Sequence, residues 1–316
     1  MTSWTAETWP IGAALLQFPA TLTDGTPAID APTQEWSKVM REIRLTGFDH
    51  VDLTDSWIPY GNLSAARRAE LAAVIADAGL GISAISASRR SILDHDPAQA
   101  KENIAYSYRL IDTAVDLGVQ VVCLGLHQGL TPAQQEATWF WLAPGAADPD
   151  DEAIYRHAVE TFQALGKYAA ERDVLLSLEM YEDTYLGTAD ACVQMINDIG
   201  LENVGVNPDV GNIIRLHRPV EHWRDQYAKL LPLTNYWHLK NYFRDEDPAA
   251  GSYATSPAPL PMGIINYRDV IGMALDLGFN GPMCVEHYGA DGLTVGLQNR
   301  DYIRQILSIK LALRDL

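Results

Sequence analysis

Val174-Leu175-Leu176-Ser177-Leu178-Glu179 is an apolar run that ends in an acid. A short run of this kind, rich in branched side chains, reads as a strand buried on both faces. The pattern returns in Val204-Gly205-Val206-Asn207-Pro208-Asp209, in Tyr236-Trp237-His238 and in Met283-Cys284-Val285-Glu286. The four polar ends, Glu179, Asp209, His238 and Glu286, follow one another at intervals of 30, 29 and 48 residues. One strand–helix unit of a (β/α)8 barrel takes roughly 30 residues, and side chains at the C-terminal strand ends converge on one mouth. The spacing therefore predicts that these four meet. The excess in the third interval falls in 243–265, whose Pro, Gly and Ser content predicts a long loop after the seventh strand.

Further strand-like runs at 11–16, 50–53, 82–86 and 119–126 bring the total to eight. Apolar residues at helical spacing predict helices over 34–45, 65–78, 98–117, 152–171, 189–199, 220–230, 267–277 and 300–313. Eight alternations favour a parallel sheet closed into a barrel over an open, doubly wound sheet. Gly47, Gly79, Gly118 and Gly278 fall where a helix turns into the next strand. No Gly-x-Gly-x-x-Gly or P-loop pattern is present, so a nucleotide-binding open sheet lacks its fingerprint. The expected fold is α/β: one TIM-barrel domain over residues 1–316, with long loops after strands 4 and 7.

Composition narrows the function. At 316 residues and 47% hydrophobic content the chain can bury a large core. A formal charge of −18 argues against nucleic acid or an anionic membrane as partner, because such binding uses a basic patch. No apolar run reaches 18 residues and the first ten carry no basic region, so neither a membrane span nor a secretory signal is expected. Three scattered cysteines, Cys123, Cys192 and Cys284, read as reduced thiols of a cytoplasmic protein.

Strand parity sharpens the site. If Glu179 points into the barrel, so do Ser177 and Tyr181, while Leu178 and Met180 face the helices. The same alternation groups His238 with Lys240, and Glu286 with Cys284 and Tyr288; His287 then faces away. Three carboxylates and an imidazole suit one divalent ion, Mn²⁺ first and Mg²⁺ or Co²⁺ next, whereas structural zinc more often takes thiolates. A lone acid of this kind is ordinarily a solvated loop residue; four at barrel periodicity are not explained by packing.

In the contexts Ser-Leu-Glu179, Asn-Pro-Asp209-Val-Gly-Asn, His238-Leu-Lys-Asn and Cys-Val-Glu286-His, the chain resembles the xylose-isomerase-like superfamily of sugar isomerases and epimerases, which includes inosose-processing enzymes and an endonuclease branch. Gly47-Phe48-Asp49-His50-Val51-Asp52-Leu53 is similar to that family's second strand. The resemblance implies that Glu179, Asp209, His238 and Glu286 hold the ion and that the two glutamates also move protons. Such a site stabilises the enediolate formed when a proton leaves the carbon α to a carbonyl. Return of the proton to the same carbon is epimerisation, and return to its neighbour is isomerisation. Loss of a β leaving group is elimination. A metal-dependent sugar or keto-sugar isomerase or epimerase is the leading expectation. Charge and the lack of additional histidine ligands disfavour the endonuclease, and a complete ligand set disfavours a non-catalytic sugar-binding barrel.

One departure lies at Asn212, where ketose 3-epimerases of the superfamily carry a histidine. Another is His127, at the end of the fourth strand, which reads either as a loop histidine or as a second base. Together with Trp139-Phe140-Trp141 in 130–151, it resembles the catalytic subunits of C-glycoside deglycosidases. That resemblance implies elimination of the aglycone from a 3-keto C-glycoside, and a small β-rich partner subunit. Trp139 and Trp141 are candidates for stacking on substrate, or alternatively for packing or a subunit interface. Lys240, Arg244, Tyr181 and Asn212 are candidate substrate-binding residues. Two cations make a poor phosphate cradle, which favours an unphosphorylated sugar or glycoside. An oligomer is expected. His50, His95, His157, His217 and His222 read as solvated or structural.

Overall fold

The computed structural model describes residues 4–289 and 291–314. Branched apolar runs form the barrel strands β1 (Ile11–Ala14), β2 (His50–Thr54), β3 (Gly81–Ser86), β4 (Val121–Leu124), β5 (Leu175–Glu179), β6 (Val204–Asn207) and β7 (Trp237–Leu239). An antiparallel pair, β8 (Asn241–Asp247) and β9 (Ser252–Ala258), precedes the last barrel strand, β10 (Met283–Val285). The eight barrel strands run parallel in the order β6-β5-β4-β3-β2-β1-β10-β7. At the seam, Val206 bridges to Thr234, and the His238 amide donates to Asn207 Oδ1 at 2.7 Å. A side chain thus supplies a bond that a regular ladder would make, and the barrel is nearly closed. Gly205 permits this approach: a Cβ there would sit 2.6 Å from Asn235 Cγ and 2.7 Å from Leu233 O.

The predicted helices are present as α1 (Thr33–Thr46), α2 (Ala65–Asp77), α3 (Pro97–Asp116), α5 (Glu152–Ala170), α6 (Ala189–Ile199), α8 (Trp223–Leu230), α9 (Tyr267–Asp276) and α10 (Gly292–Arg314), with two short additions, α4 (Pro132–Glu136) and α7 (Gly211–Ile214). Gly47, Gly79, Gly118 and Gly278 all adopt positive φ after their helices, the conformation that reverses the chain without a Cβ clash. The main core lies between strands and helices; a second, small one fills the lumen with Ala14, Ala84, Val121, Cys123, Tyr236 and Cys284. Among the described residues no helix is long and apolar enough to cross a membrane.

Three boundaries differ from the sequence reading. The stretch 243–265 is not a plain loop: up to Ala258 it is a ribbon in register from Asn241↔Ala258 to Asp247↔Ser252. Its prolines and charges hid the strands, since Pro is tolerated on an isolated edge. Helix α10 starts at Gly292 rather than at 300: the Thr294 amide donates to Asp291 Oδ1 at 3.1 Å, which holds the first turn, and Gly292, Leu293 and Gly296 are buried. Helix α8 starts at Trp223 rather than at 220, with His222 as its cap.

Candidate metal and catalytic site

Each barrel strand carries its last inward residue to one end of the lumen, so parity alone brings Glu179, Asp209, His238 and Glu286 together. One ligand atom from each lies within 4.8 Å of all the others. His238 Nδ1 is 3.5 Å from Glu179 Oε2, 3.5 Å from Glu286 Oε2 and 3.8 Å from Asp209 Oδ2. Among the described residues, Asp209 Oδ1 and His238 Nδ1 are buried without a hydrogen-bond partner, and Asp209 Oδ2 and Glu286 Oε2 have only the Lys240 ammonium beside them. Buried polar atoms are ordinarily paired. Three carboxylates and an imidazole around one point, with an oxygen and a nitrogen left unpaired, fit a divalent cation.

The other atoms of these residues are held in place. His238 Nε2 lies 3.0 Å from Tyr236 Oη and 3.3 Å from Ser86 Oγ. The Tyr236 hydroxyl donates in turn to Asp52, which also accepts from Ser83 at 3.1 Å and Ser86 at 2.9 Å. Asp52 is fully buried, and burial pushes its carboxyl above the usual range against those hydrogen bonds. It sits where the register of β2 on β3 breaks between Val51 and Leu53, the kind of irregularity that re-aims a side chain. Glu179 accepts from Ser88 Oγ and, on Oε1, from Asn212 Nδ2 at 3.1 Å. Asn212 also donates to Met180 O at 2.9 Å, so it fixes the carboxylate to the end of β5.

Lys240 Nζ stands 2.8 Å from Asp209 Oδ2 and 2.7 Å from Glu286 Oε2. Burial opposes its charge, but these two carboxylates outweigh burial and hold the ammonium well above its ordinary pKa. Its stem crosses Gly211, which leaves no room for a Cβ. His127 is buried, stacks on Tyr181 with 3.7 Å between ring centroids, and places Nε2 3.8 Å from Glu179 Oε1. Burial pushes its imidazole well below the usual value in spite of Glu179, so the ring is neutral near pH 7. Its Nε2 has no hydrogen-bond partner, which leaves a ring nitrogen facing the carboxylate.

These groups border a cavity of about 250 Å³. Of the residues singled out from the sequence, His127, Glu179, Tyr181, Asn212, His238, Lys240 and Glu286 line it. Asp209 is fully buried behind them. Trp139, Trp141 and Arg244 do not line it. The two indoles stack on each other at 5.2 Å, and Trp141 packs on Tyr242 and Tyr288 at 5.3 and 5.6 Å. They form a wall behind the lining tyrosine Tyr288, not a platform within the cavity. The Arg244 guanidinium donates to the carbonyls of Ile214, Leu216 and Arg218, and so fastens the β8–β9 ribbon to the barrel rim. Beneath this wall, Arg215 and Glu182 form a buried ion pair in which Nη2 reaches both carboxylate oxygens at 2.9 Å.

Sequence reading passed over Asp52, Tyr236 and the segment Ser88-Arg89-Arg90. Parity held the signal for the first two, an acid and a tyrosine at lumen positions of apolar strands. The third follows the C-terminal end of β3 by one residue, at the same face as the candidate metal ligands. Among the other histidines, His50 bonds Asp49 at 3.0 Å and His217 bonds Thr255 at 3.1 Å, as structural residues do.

The family model for the xylose isomerase-like TIM barrel matches residues 40–309. A solved xylose isomerase-like TIM barrel protein from Mycobacterium smegmatis, crystallised in complex with magnesium, is 48% identical; the match covers 98% of this chain and 100% of that one, with a TM-score of 0.93. D-Psicose 3-epimerase from Clostridium cellulolyticum H10, solved with D-tagatose, is 17% identical over 96% of this chain and 97% of its own, with a TM-score of 0.61. For 3-keto-D-glucoside 4-epimerase from E. coli the values are 13%, 94%, 98% and 0.64. These two distant likenesses concern the fold. No curated protein matches the sequence. The family match over most of the length, and the near-complete superposition on a protein of 48% identity, show that this chain belongs to the xylose isomerase-like TIM-barrel family.

Proposed function

We propose that this chain is a divalent-metal-dependent isomerase or epimerase of sugars or keto sugars, working by proton abstraction α to a carbonyl. The observation that carries the reading is the convergence of ligand atoms from four buried residues, Glu179, Asp209, His238 and Glu286, with His238 Nδ1 and Asp209 Oδ1 left without a hydrogen-bond partner among the described residues, beside a sugar-sized cavity. The magnesium bound by the 48% identical protein supports a cation here, and the epimerases that share the fold support the reaction class. A divalent ion held by these four would polarise the substrate carbonyl and balance the negative charge that develops on its oxygen. Glu179 and Glu286 come from strands on different walls of the barrel, β5 and β10, so one can take the α-proton and the other return it. Ser88 and Asn212 keep Glu179 oriented, and Lys240, fixed between two acids, can donate to a substrate oxygen.

His127 favours elimination as a second reading. Its neutral, unpartnered nitrogen beside Glu179 is a third proton-transfer group, more than a simple epimerisation requires. In that reading the chain would be the catalytic subunit of a C-glycoside deglycosidase, with a small β-rich partner. The test is incubation with D-fructose, D-tagatose and a 3-keto glucoside, with and without chelator and with Mn²⁺, Mg²⁺ or Co²⁺ restored. Metal-dependent appearance of an epimer or isomer supports the first reading. Release of an aglycone from a 3-keto C-glycoside without epimerisation supports the second, and chelator-resistant turnover contradicts both.

A further inference from the structure

Three basic side chains line the cavity, and two are already neutralised: Arg90 by Asp55 at 2.7 Å, and Lys240 by Asp209 and Glu286. Arg89 is the third. Among the described residues it has no carboxylate within ion-pair distance, whereas 13 of the chain's 17 arginines do. Its one side-chain hydrogen bond runs from Nη2 to Tyr181 Oη at 3.2 Å, and its guanidinium lies 5.1 Å from the Phe140 ring and 5.4 Å from the Tyr181 ring. Arg215 lies over the same two rings, but Glu182 answers its charge. Arg89 keeps its charge, is held by aromatic faces, and stands exposed at the cavity mouth. With a divalent ion in place, Glu179, Asp209 and Glu286 are balanced by the ion and Lys240, so the acids of the site do not oppose an incoming anion.

We propose that Arg89 recognises a carboxylate on the substrate, so that the sugar handled by this centre is a keto-sugar acid. The inference rests on the ketose chemistry proposed above. One planar guanidinium fork with a neighbouring tyrosine hydroxyl matches the two oxygens of a carboxylate; a phosphate dianion would draw a second unpaired cation, and Arg90 and Lys240 are both already paired. Tyr181 links this end of the cavity to the chemistry, since its ring stacks on His127 beside Glu179.

The test is calorimetric binding of D-fructuronate, D-fructose and D-fructose 6-phosphate to the Mn²⁺-loaded protein, as wild type, Arg89→Met and Arg89→Lys. A charged hydrogen-bonded pair predicts fructuronate binding about 10-fold or more tighter than fructose. Arg89→Met should erase that preference, leave fructose within about twofold, and be partly rescued by Arg89→Lys; rising salt should weaken fructuronate alone. Equal affinity for fructuronate and fructose, or a preference that survives Arg89→Met, overturns the role of Arg89 while leaving the ketose reading intact. Tightest binding of fructose 6-phosphate overturns the carboxylate assignment. If none of the three binds, the ketose reading and this inference fall together.

Discussion

Tyr236 Oη lies 3.0 Å from His238 Nε2 and passes its own hydrogen bond to the buried Asp52. The imidazole is thereby locked with Nδ1 toward Glu179, Asp209 and Glu286, two residues along the chain from the group that locks it. Partners of this kind set ring orientation and ligand basicity. Tyr236→Phe removes the hydroxyl alone, and the divalent-ion affinity should fall by about 10- to 100-fold with the barrel still folded. Isothermal titration with Mn²⁺ alongside far-ultraviolet circular dichroism measures both. An unchanged affinity would show that His238 needs no such support.

Metal binding itself should appear as stability. A cation that binds only the folded chain raises the melting temperature, and by more as its free concentration rises above its Kd. One equivalent of Mn²⁺ should raise Tm, chelator should reverse it, and Asp209→Asn should abolish the shift. A Tm indifferent to all three ions would mean that the unpartnered atoms of the lumen serve another purpose.

The Arg215–Glu182 pair is fully enclosed under the aromatic wall. Removing one member of a buried pair leaves an uncompensated charge, which costs about 3–5 kcal/mol. Arg215→Met should destabilise by that amount in urea unfolding, and Arg215→Met with Glu182→Leu should recover much of it. A loss below about 1 kcal/mol in the single variant would place the pair outside the folding core.

The convergence of Glu179, Asp209, His238 and Glu286, and the strands that carry them, were legible because parallel barrels repeat: a fixed pitch and two-residue alternation carry the same information at every strand. Asn212 illustrates the limit. Its place three residues after Asp209 marked it for substrate, yet its amide is occupied by Glu179 and Met180, a partnership across strands that spacing alone does not contain. Trp139, Trp141 and Arg244 were chosen for residue type and loop position. Their directions depend on how the two long excursions fold on each other, and the ribbon β8–β9, anchored by Thr255 to Arg215 O at 2.7 Å and by Arg244, turns them to packing. Arg89 had no neighbouring pattern to distinguish it; what does is its place at the cavity with no acid paired to it among the described residues.

His127 separates the two reactions. In an epimerase or isomerase that uses the glutamates alone, His127→Ala should lower turnover modestly. In an elimination it should lower turnover by roughly 100-fold or more, the usual size of a general acid–base contribution. Retained α-proton exchange with lost aglycone release would put His127 on the leaving-group side, and loss of both would make it the base.

The central claim is that Glu179 and Glu286 exchange a proton α to a carbonyl with the help of a divalent ion. The most direct measurement is NMR of a ketose or keto sugar in D₂O with Mn²⁺-reconstituted protein, quenched and freed of metal before detection. We predict deuterium at the α-carbon, abolished by chelator and lowered by about 100-fold or more in both Glu179→Gln and Glu286→Gln, each with a wild-type circular dichroism spectrum. Exchange that persists in chelator, or at the wild-type rate in either variant, would contradict the account, as would no exchange with Mn²⁺, Mg²⁺ or Co²⁺ on any ketose or keto-sugar acid tried.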